Sequence, residues 1–333
     1  MQDLKGMELK ELQEVCKTSG FLTFKAREIF SFIHRKLKTD LAGLTTLKLE
    51  EREKLKDAFY ISDLSLRKLE TGKGVKKASF RLEDGLEIET VLMDYGKGHL
   101  TLCVSTQAGC PIRCLFCATG QMGFKRNLST AEILSQVYHF AREERVTNIV
   151  FMGMGEPFLN YDNVLKAAHL LNDKMGQNIA ARSIVISTVG IIPGINKFLQ
   201  ETKQFRLAWS LAAPDDTLRK KLVPFKGLPS IAQTLDALKE YQEKSGRRIT
   251  IEYVALGGVN DGEKEARELV RIAGELDSHV NLIPYNPSPG LPFKRGNISQ
   301  LKATLEKAKV HVTVRKSLGG EIQAACGQLV SFS

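Results

Sequence analysis

Along the first part of the chain, apolar residues recur every three or four positions. In "MELKELQEVCK" Leu9, Leu12 and Cys16 fall on one helical stripe, and in "KAREIFSFIHRKL" Ile29, Ile33 and Leu37 do the same. Residues 1–65 therefore read as a small set of amphipathic helices, with Cys16 as a small core residue. The period then drops to two. "KKASFRLEDGLEIETVLMDYG" alternates on both sides of Glu83-Asp84-Gly85, which predicts a β-hairpin within residues 66–98. From residue 99 short apolar runs ("LTLCVST", "TNIVFMG", "SIVIST", "FRLAWSL", "TIEYVAL", "VNLIPYN") alternate with polar, helix-like stretches such as "TAEILSQVYHFAREE" and "SIAQTLDALKEYQEK". Such alternation with short links predicts a parallel sheet with right-handed crossovers. Six units followed by "VHVTVRKS" make residues 99–333 an α/β core, either a full or partial (β/α) barrel or an open doubly wound sheet.

Composition narrows the class. At 333 residues, 43% hydrophobic and 26% charged, the chain is an ordinary globular protein with a sizeable core. Lys and Arg outnumber Asp and Glu 48 to 38, a net charge of +10. That excess favours a polyanionic partner, nucleic acid before an anionic membrane, although a merely basic soluble enzyme has the same balance. The opening "MQDLKGMELKELQEV" is too charged for a signal-peptide core, and no apolar run approaches the roughly 18 residues of a membrane span. A cytoplasmic location without membrane contact is expected. In that setting six cysteines point to metal binding or catalysis rather than to a disulfide framework.

The residues hardest to explain as packing fall just after strands. Cys110, Cys114 and Cys117 follow the first strand, "GMGEP" the second, Ser187-Thr188 the third, "SLAAP" the fourth, Gly257-Gly258 the fifth and "YNPSPG" the sixth. In a (β/α) barrel these loops open on one face, where such folds place their chemistry. The spacing C-x3-C-x2-C offers three thiolates to a four-iron cluster, leaving one iron open. A structural zinc site would want a fourth Cys or His nearby, and none is close in sequence. Three cysteines so spaced, with Phe116 beside the last, on a loop leaving the first barrel strand, resemble the radical S-adenosylmethionine (AdoMet) superfamily. The resemblance implies a partial (β/α) barrel and one [4Fe–4S] cluster on Cys110, Cys114 and Cys117. It also implies AdoMet chelated at the open iron and cleaved by an electron to a 5′-deoxyadenosyl radical.

Other strand ends fit the same picture. "GMGEP" resembles that superfamily's GGEP-type motif, in which Gly155 and Glu156 would take the AdoMet amino group. By itself the motif also reads as a tight turn in which Glu156 opens a helix at Pro157. Ser187, Ser210 with its neighbours Leu211 and Ala212, and Asn286 would complete the AdoMet contacts; outside this fold they read as caps or turn residues.

"TLCVSTQAGCPIRCLFCATGQMGFKRNL", "FMGMGEPFLNYDNV", "ISTVG", "EYVALGGVND", "VNLIPYNPSPG" and "AACGQL" together are similar to the bacterial ribosomal and transfer RNA adenine-C2 methyltransferase family, over nearly the whole chain. Membership would make the chain an N-terminal helical domain, a β extension and a radical AdoMet barrel. It would also make Cys326 the residue that accepts a methyl group from one AdoMet, and Cys103 its resolving partner. A second AdoMet would supply the radical that activates the S-methyl group for addition to adenine C2. Cys103 would then release the methylated RNA and leave a Cys103–Cys326 disulfide. Glu89 in "IETV" matches the family's proton acceptor at C2; read without the family it is an exposed strand carboxylate. The implied partners are 23S ribosomal RNA, transfer RNA and a reducing donor such as flavodoxin, with the enzyme acting as a monomer. Two departures stand out. Ala212 occupies a position where members commonly carry His ("SLHAP"), and the stretch from Glu89 to Cys103 is about one residue longer than usual.

Basic stretches near the loop face, Lys125-Arg126, Arg219 to Lys226 and Lys294-Arg295, would hold RNA phosphates without reading sequence, with Arg35, Lys36 and Lys38 adding a second grip. Two rivals share parts of this pattern. A C8-methylating resistance enzyme has the same cysteine layout, and a non-catalytic iron–sulfur RNA-binding protein would need neither Cys103 nor Cys326.

Overall fold

In the computed structural model, which describes residues 1–330, ten strands form one sheet whose spatial order is simply chain order. The first three are antiparallel: β1 (Ser65–Gly72), β2 (Val75–Arg81) and β3 (Glu87–Asp94). The hairpin read from the alternating pattern is β2–β3, turning at Gly85 with φ +84°, and β1 lies outside it. Seven parallel strands follow: β4 (Leu100–Cys103), β5 (Asn148–Phe151), β6 (Ile184–Thr188), β7 (Arg206–Ser210), β8 (Ile249–Ala255), β9 (Ser278–Pro284) and β10 (Val312–Val314). Strands β3 and β4 pair antiparallel, so the extension continues the barrel sheet.

The helices behind the sheet are α4 (Thr130–Ala141), α5 (Tyr161–Asn172), α6 (Ile192–Leu199), α7 (Asp216–Leu222), α8 (Ile231–Ser245), α9 (Glu263–Gly274) and α10 (Ile298–Lys307); the helices of the N-terminal segment are α1 (Leu9–Thr18), α2 (Lys25–His34) and α3 (Leu49–Ala58). A doubly wound sheet reverses its strand order at a switch point; here each crossover steps on to the next strand, as in a barrel. Strand β10 pairs with β9 alone and β1 with β2 alone, so the sheet stays open. The fold is a partial barrel.

Local sequence accounts for the helix ends. Helix α4 starts in a reciprocal box, Ser129 accepting from the Glu132 N–H while Glu132 accepts from Ser129. Helix α8 starts the same way on Ser230 and Gln233, and stops at Gly246 in the left-handed region. The stripe read through Leu37 ends earlier, at His34. Leu37 lies beyond the helix at φ +57°, yet its side chain still returns to the core.

The N-terminal segment docks on α4 through polar contacts, two of them made by the buried side chains of Lys5 and His34. Lys5, 1% exposed, donates to Ser135 Oγ at 2.7 Å and pairs with Asp63 at 3.3 Å. Asp63 in turn is held by Arg142 at 2.6 Å. His34 meets the Tyr138 hydroxyl at 2.6 Å, and burial lowers its pKa to about 3, so it stays neutral at physiological pH. Among the described residues, no helix is long and apolar enough to cross a membrane.

Candidate active site

Beyond Cys103 the chain leaves the sheet as a short ribbon, Gln107–Gly109 paired antiparallel with Phe124–Asn127. The loop between these strands carries Cys110, Cys114 and Cys117, and closes in one helical turn, Ala118–Gln121. Two contacts shape it: the Cys110 N–H donates to Gly123 O at 3.0 Å, and the Cys117 N–H to Cys114 O at 3.2 Å. Gly109 sits at φ +72°, where a Cβ would lie 1.8 Å from Gly123 O. All three thiols line one cleft. Burial pushes each of them up, Cys110 to about 12, and the ionised neighbours add to the rise at Cys110 and Cys114. A cationic iron cluster would supply the charge that lets three crowded sulfurs ionise together. Among the described residues, no three His, Cys, Asp or Glu side chains converge as ligands of a single ion would. In a cubane each thiolate takes its own iron, which suits three sulfurs spread around a hollow.

The "GMGEP" turn packs beside this loop. Met154 O accepts the N–H groups of Thr106 (2.8 Å) and Gln107 (3.1 Å), and Gly155, at φ +105°, has no room for a Cβ against Gln107. Glu156 opens a helical turn, capping Pro157–Asn160 by accepting the Phe158 N–H at 3.1 Å, and its carboxyl also faces the cleft. Its other oxygen accepts the Val189 N–H at 3.0 Å. Burial raises its pKa to about 7 against these hydrogen bonds, so the carboxyl titrates near neutrality.

Ser187 and Ser210 face each other across β6 and β7, Oγ to Oγ 2.9 Å, and both line the cleft. Leu211 does not: its side chain is fully buried, and its N–H donates to Glu252 O at 3.1 Å. Ala212 is on the cleft wall at φ +64°, with its carbonyl taken by Asn260 Nδ2 at 2.8 Å. His enters this left-handed region more readily than most residues. A His at this position would hold the same backbone at less cost than Ala212 does. Ala212→Gly is expected to stabilise the fold by about 0.5–1 kcal/mol, because alanine pays a steric cost at positive φ that glycine does not. A higher urea midpoint with unchanged slope would register it; no shift would refute it.

The Cys326 segment bridges the two ends of the open sheet. It leaves the β10 edge, reaches the antiparallel strands, where Lys77 Nζ meets Gln323 O at 3.4 Å, and then passes the cysteine loop. Among the described residues no strand pairing holds it. Its ties are the Ala118 N–H to Gly327 O (2.8 Å), Thr119 Oγ1 to Leu329 O (2.6 Å), Asn286 Nδ2 to Cys326 O (3.3 Å) and Gln328 Nε2 to Pro287 O (2.7 Å). Asn286 lines the cleft and is itself fixed by the Ser317 hydroxyl. Cys326 and Cys103 share the cleft wall with the three loop cysteines. Cys326 keeps surface open to the cleft, and desolvation by the surrounding walls still pushes its thiol up. Cys103, deeper, is pushed up to about 12 by burial. The sixth cysteine, Cys16, is a fully buried core residue of α1.

Glu89 does not line the cleft. It is 3% exposed, pairs with Lys77 at 3.2 Å, accepts from Ser79 Oγ at 3.1 Å, and accepts the Val330 N–H at 2.9 Å. It is a buried anchor of the Cys326 segment, not an exposed strand carboxylate. Two of the basic residues also differ from expectation. Arg126 is engaged by Asp84 and by both oxygens of Glu132 at 2.8 Å. Arg219 is 1% exposed, donating to Pro229 O (2.5 Å) and Val189 O (2.7 Å). Neither is free to hold phosphate, whereas Lys125, Lys220, Lys221, Lys226, Lys294 and Arg295 are exposed, as are Arg35, Lys36 and Lys38.

Two cleft residues escaped the reading of the sequence, Glu252 and Arg315. Each carried a signal. Glu252 is a lone carboxylate within the apolar run of a strand buried on both faces. Arg315 immediately follows β10, the same strand-end position that marked the other site residues.

Comparison with known proteins places this site. Residues 104–270 match the Radical SAM superfamily model, and residues 2–61 match the "Ribosomal RNA large subunit methyltransferase N-terminal domain". A "Probable dual-specificity RNA methyltransferase RlmN" of Symbiobacterium thermophilum is 41% identical, over 98% of this chain and 91% of its own. A "Ribosomal RNA large subunit methyltransferase N" of Nitrosopumilus maritimus is 42% identical over 99% and 98%. The crystal structure of a radical SAM methyltransferase from Sphaerobacter thermophilus superposes with a TM-score of 0.93 at 40% identity, covering 99% of both chains. With the cysteine loop, the open barrel and full-length relatives in agreement, the chain belongs to the radical SAM superfamily and, within it, to the RlmN family of RNA methyltransferases.

Proposed function

We propose that this chain methylates C2 of an adenine in 23S ribosomal RNA and of the adenine beside the anticodon in transfer RNA. The observation that carries the reading is the meeting of Cys103 and Cys326 in the same cleft as Cys110, Cys114 and Cys117. A non-catalytic iron–sulfur protein has no use for two further thiols there. Relatives named as dual-specificity RNA methyltransferases, and one named as a ribosomal RNA large subunit methyltransferase, support an RNA substrate.

Cys110, Cys114 and Cys117 would hold the [4Fe–4S] cluster. Glu156 would take the AdoMet amino group, with Gly155, Ser187, Ser210, Asn286 and the backbone of Leu211 and Ala212 around the rest. When bound, the cluster and AdoMet supply the one-electron chemistry that activates a methyl C–H bond. Adenine C2 lies between two ring nitrogens and is electron-poor, so it is a poor nucleophile toward a methyl donor. Parking the methyl on the Cys326 sulfur divides one hard step into easier ones. Once a hydrogen atom has been taken from the S-methyl group and its carbon has bonded to adenine C2, Cys103 attacks the Cys326 sulfur. The S–S bond forms and the sulfur–carbon bond breaks with its pair on the carbon, which takes a proton as the C2 proton leaves, and the odd electron of the adduct would return to the bound cluster. Two AdoMet molecules are used per turnover. For Glu89 to accept the C2 proton its buried carboxyl must be uncovered, and the Val330 N–H bound to it ties that exposure to movement of the Cys326 segment. Exposed lysines and arginines hold the RNA, and the adenine leaves its stack to enter the cleft. A flavodoxin-like donor supplies electrons, and the enzyme acts as a cytoplasmic monomer.

Anaerobic reconstitution, reaction with unmodified ribosomal and transfer RNA, and mass spectrometry of the digested nucleosides test the reading. 2-Methyladenosine is expected; 8-methyladenosine would move the chain to C8 chemistry, and neither product with AdoMet intact would overturn the assignment. AdoMet affinity should depend on pH through Glu156. Its carboxyl is neutral below about 7, so affinity should rise as pH passes that value. In Glu156→Gln the acid limb should vanish in calorimetric titrations; a persistent limb would assign it to another group.

A further inference from the structure

Burial works against both reacting thiols, yet thiolates do the chemistry of alkylation and disulfide exchange. The cation facing them is Arg315. Its N–H donates to Leu282 O on β9 at 2.8 Å, which pins its backbone at the β10 edge, and its Nη2 lies 3.3 Å from Met152 Sδ at the end of β5. Held at both ends, the side chain lines the cleft beside Cys103, Cys326, Tyr95 and Glu252. The two sulfurs are not treated alike. Both feel the charge of the guanidinium, but Cys326 is open to the cleft whereas Cys103 lies deeper, against the Met152 backbone. Ionised Cys326 also opposes ionisation of Cys103. Glu252, 6% exposed and bound by Asn281 Nδ2 at 2.9 Å, opposes Cys326 and attracts Arg315. Tyr95 and Lys316 also lie on this wall, and Cys117 of the cysteine loop opposes ionisation of Cys326 from across the cleft.

We infer that Arg315 serves the two thiols in turn, first holding the Cys326 sulfur as the nucleophile and then, once that sulfur is a thioether, turning its charge to Cys103. In the first step the Cys326 thiol proton goes to solvent and its sulfur forms a bond to the AdoMet methyl carbon. The sulfonium–methyl bond breaks, and S-adenosylhomocysteine leaves. The neutral thioether no longer repels a Cys103 thiolate, and a guanidinium, which keeps its charge at any working pH, has a single sulfur left to stabilise. One fixed cation thus sets the order of two nucleophiles. This rests on the methyl-carrying role proposed for Cys326, and its test needs no RNA turnover.

The cluster-loaded enzyme is treated with iodoacetamide, whose iodide is displaced by thiolate sulfur, and labelling at each cysteine is timed by peptide mass spectrometry. In the parent enzyme Cys326 should label ahead of Cys103, and Cys103 should label faster once Cys326 carries a methyl group. Arg315→Gln should slow Cys326 labelling about tenfold, the effect of one pKa unit, and Arg315→Lys should recover part of it. An unchanged Cys326 rate in R315Q with cluster absorbance intact overturns the inference while leaving RNA methylation by the parent enzyme to judge the function. If R315Q does not fold, Glu252→Gln decides: faster Cys326 labelling supports the charge balance described, and an equal or slower rate overturns it.

Discussion

Cys326→Ala should lower RNA methylation by at least about a thousandfold, the scale on which loss of a covalent nucleophile acts. The fold should be untouched, because the side chain is solvent-open within the cleft and the segment is held through the Gly327, Gln328 and Leu329 contacts, not through the thiol. The cysteine loop and Glu156 do not depend on it either. The variant should therefore load a cluster and still cleave AdoMet to 5′-deoxyadenosine under dithionite, uncoupled from methyl transfer. That combination separates a methyl carrier from a cluster ligand. Cluster loss in C326A would mean the sulfur belongs to the iron, and retained methylation would mean that RNA takes its methyl by another route. Cys103→Ala should instead stall the reaction at a covalent protein–RNA species, visible as RNA-linked enzyme on a denaturing gel.

Gly109→Ala carries the second largest effect, from a different cause. The added methyl would meet Gly123 O at 1.8 Å, in a backbone conformation that side chains resist. Relief requires the ribbon before the cysteine loop to separate, and with it the Cys110 N–H to Gly123 O bond. The expected outcome is failure to hold the cluster, read as loss of the broad absorbance near 400 nm, with helix content by circular dichroism little changed, because the ribbon lies outside the ten-stranded sheet. Normal iron content in G109A would show that the loop tolerates the displacement.

How much of this was legible in the chain depended on the range of the interaction. Period-two and helical patterns gave the hairpin, the crossovers and the N-terminal helices, since those reflect which face of a local element is buried. Once strands alternated with helices, a shared loop face followed, and Cys110, Cys114, Cys117, Glu156, Ser187, Ser210 and Asn286 do line one cleft. Glu89 was not legible as a buried group because its partner, Val330, lies 241 residues away. Arg126 and Arg219 read as phosphate binders until the fold supplied Glu132 and two carbonyls to occupy them. Leu211 was taken with its motif neighbours, but alternation along the chain turns its side chain into the core.

The Cys326 segment closes the gap between the sheet's two edges without joining the ladder. Strand pairing would make any movement of the sulfur an unzipping event, coupled to every neighbouring strand. Here the attachment is a handful of separate hydrogen bonds, each worth about 1 kcal/mol, and they can be released a few at a time. The carrier sulfur can thus travel with its cargo, like a hinged stave in an otherwise rigid cask, while the sheet that holds the other reacting groups stays still.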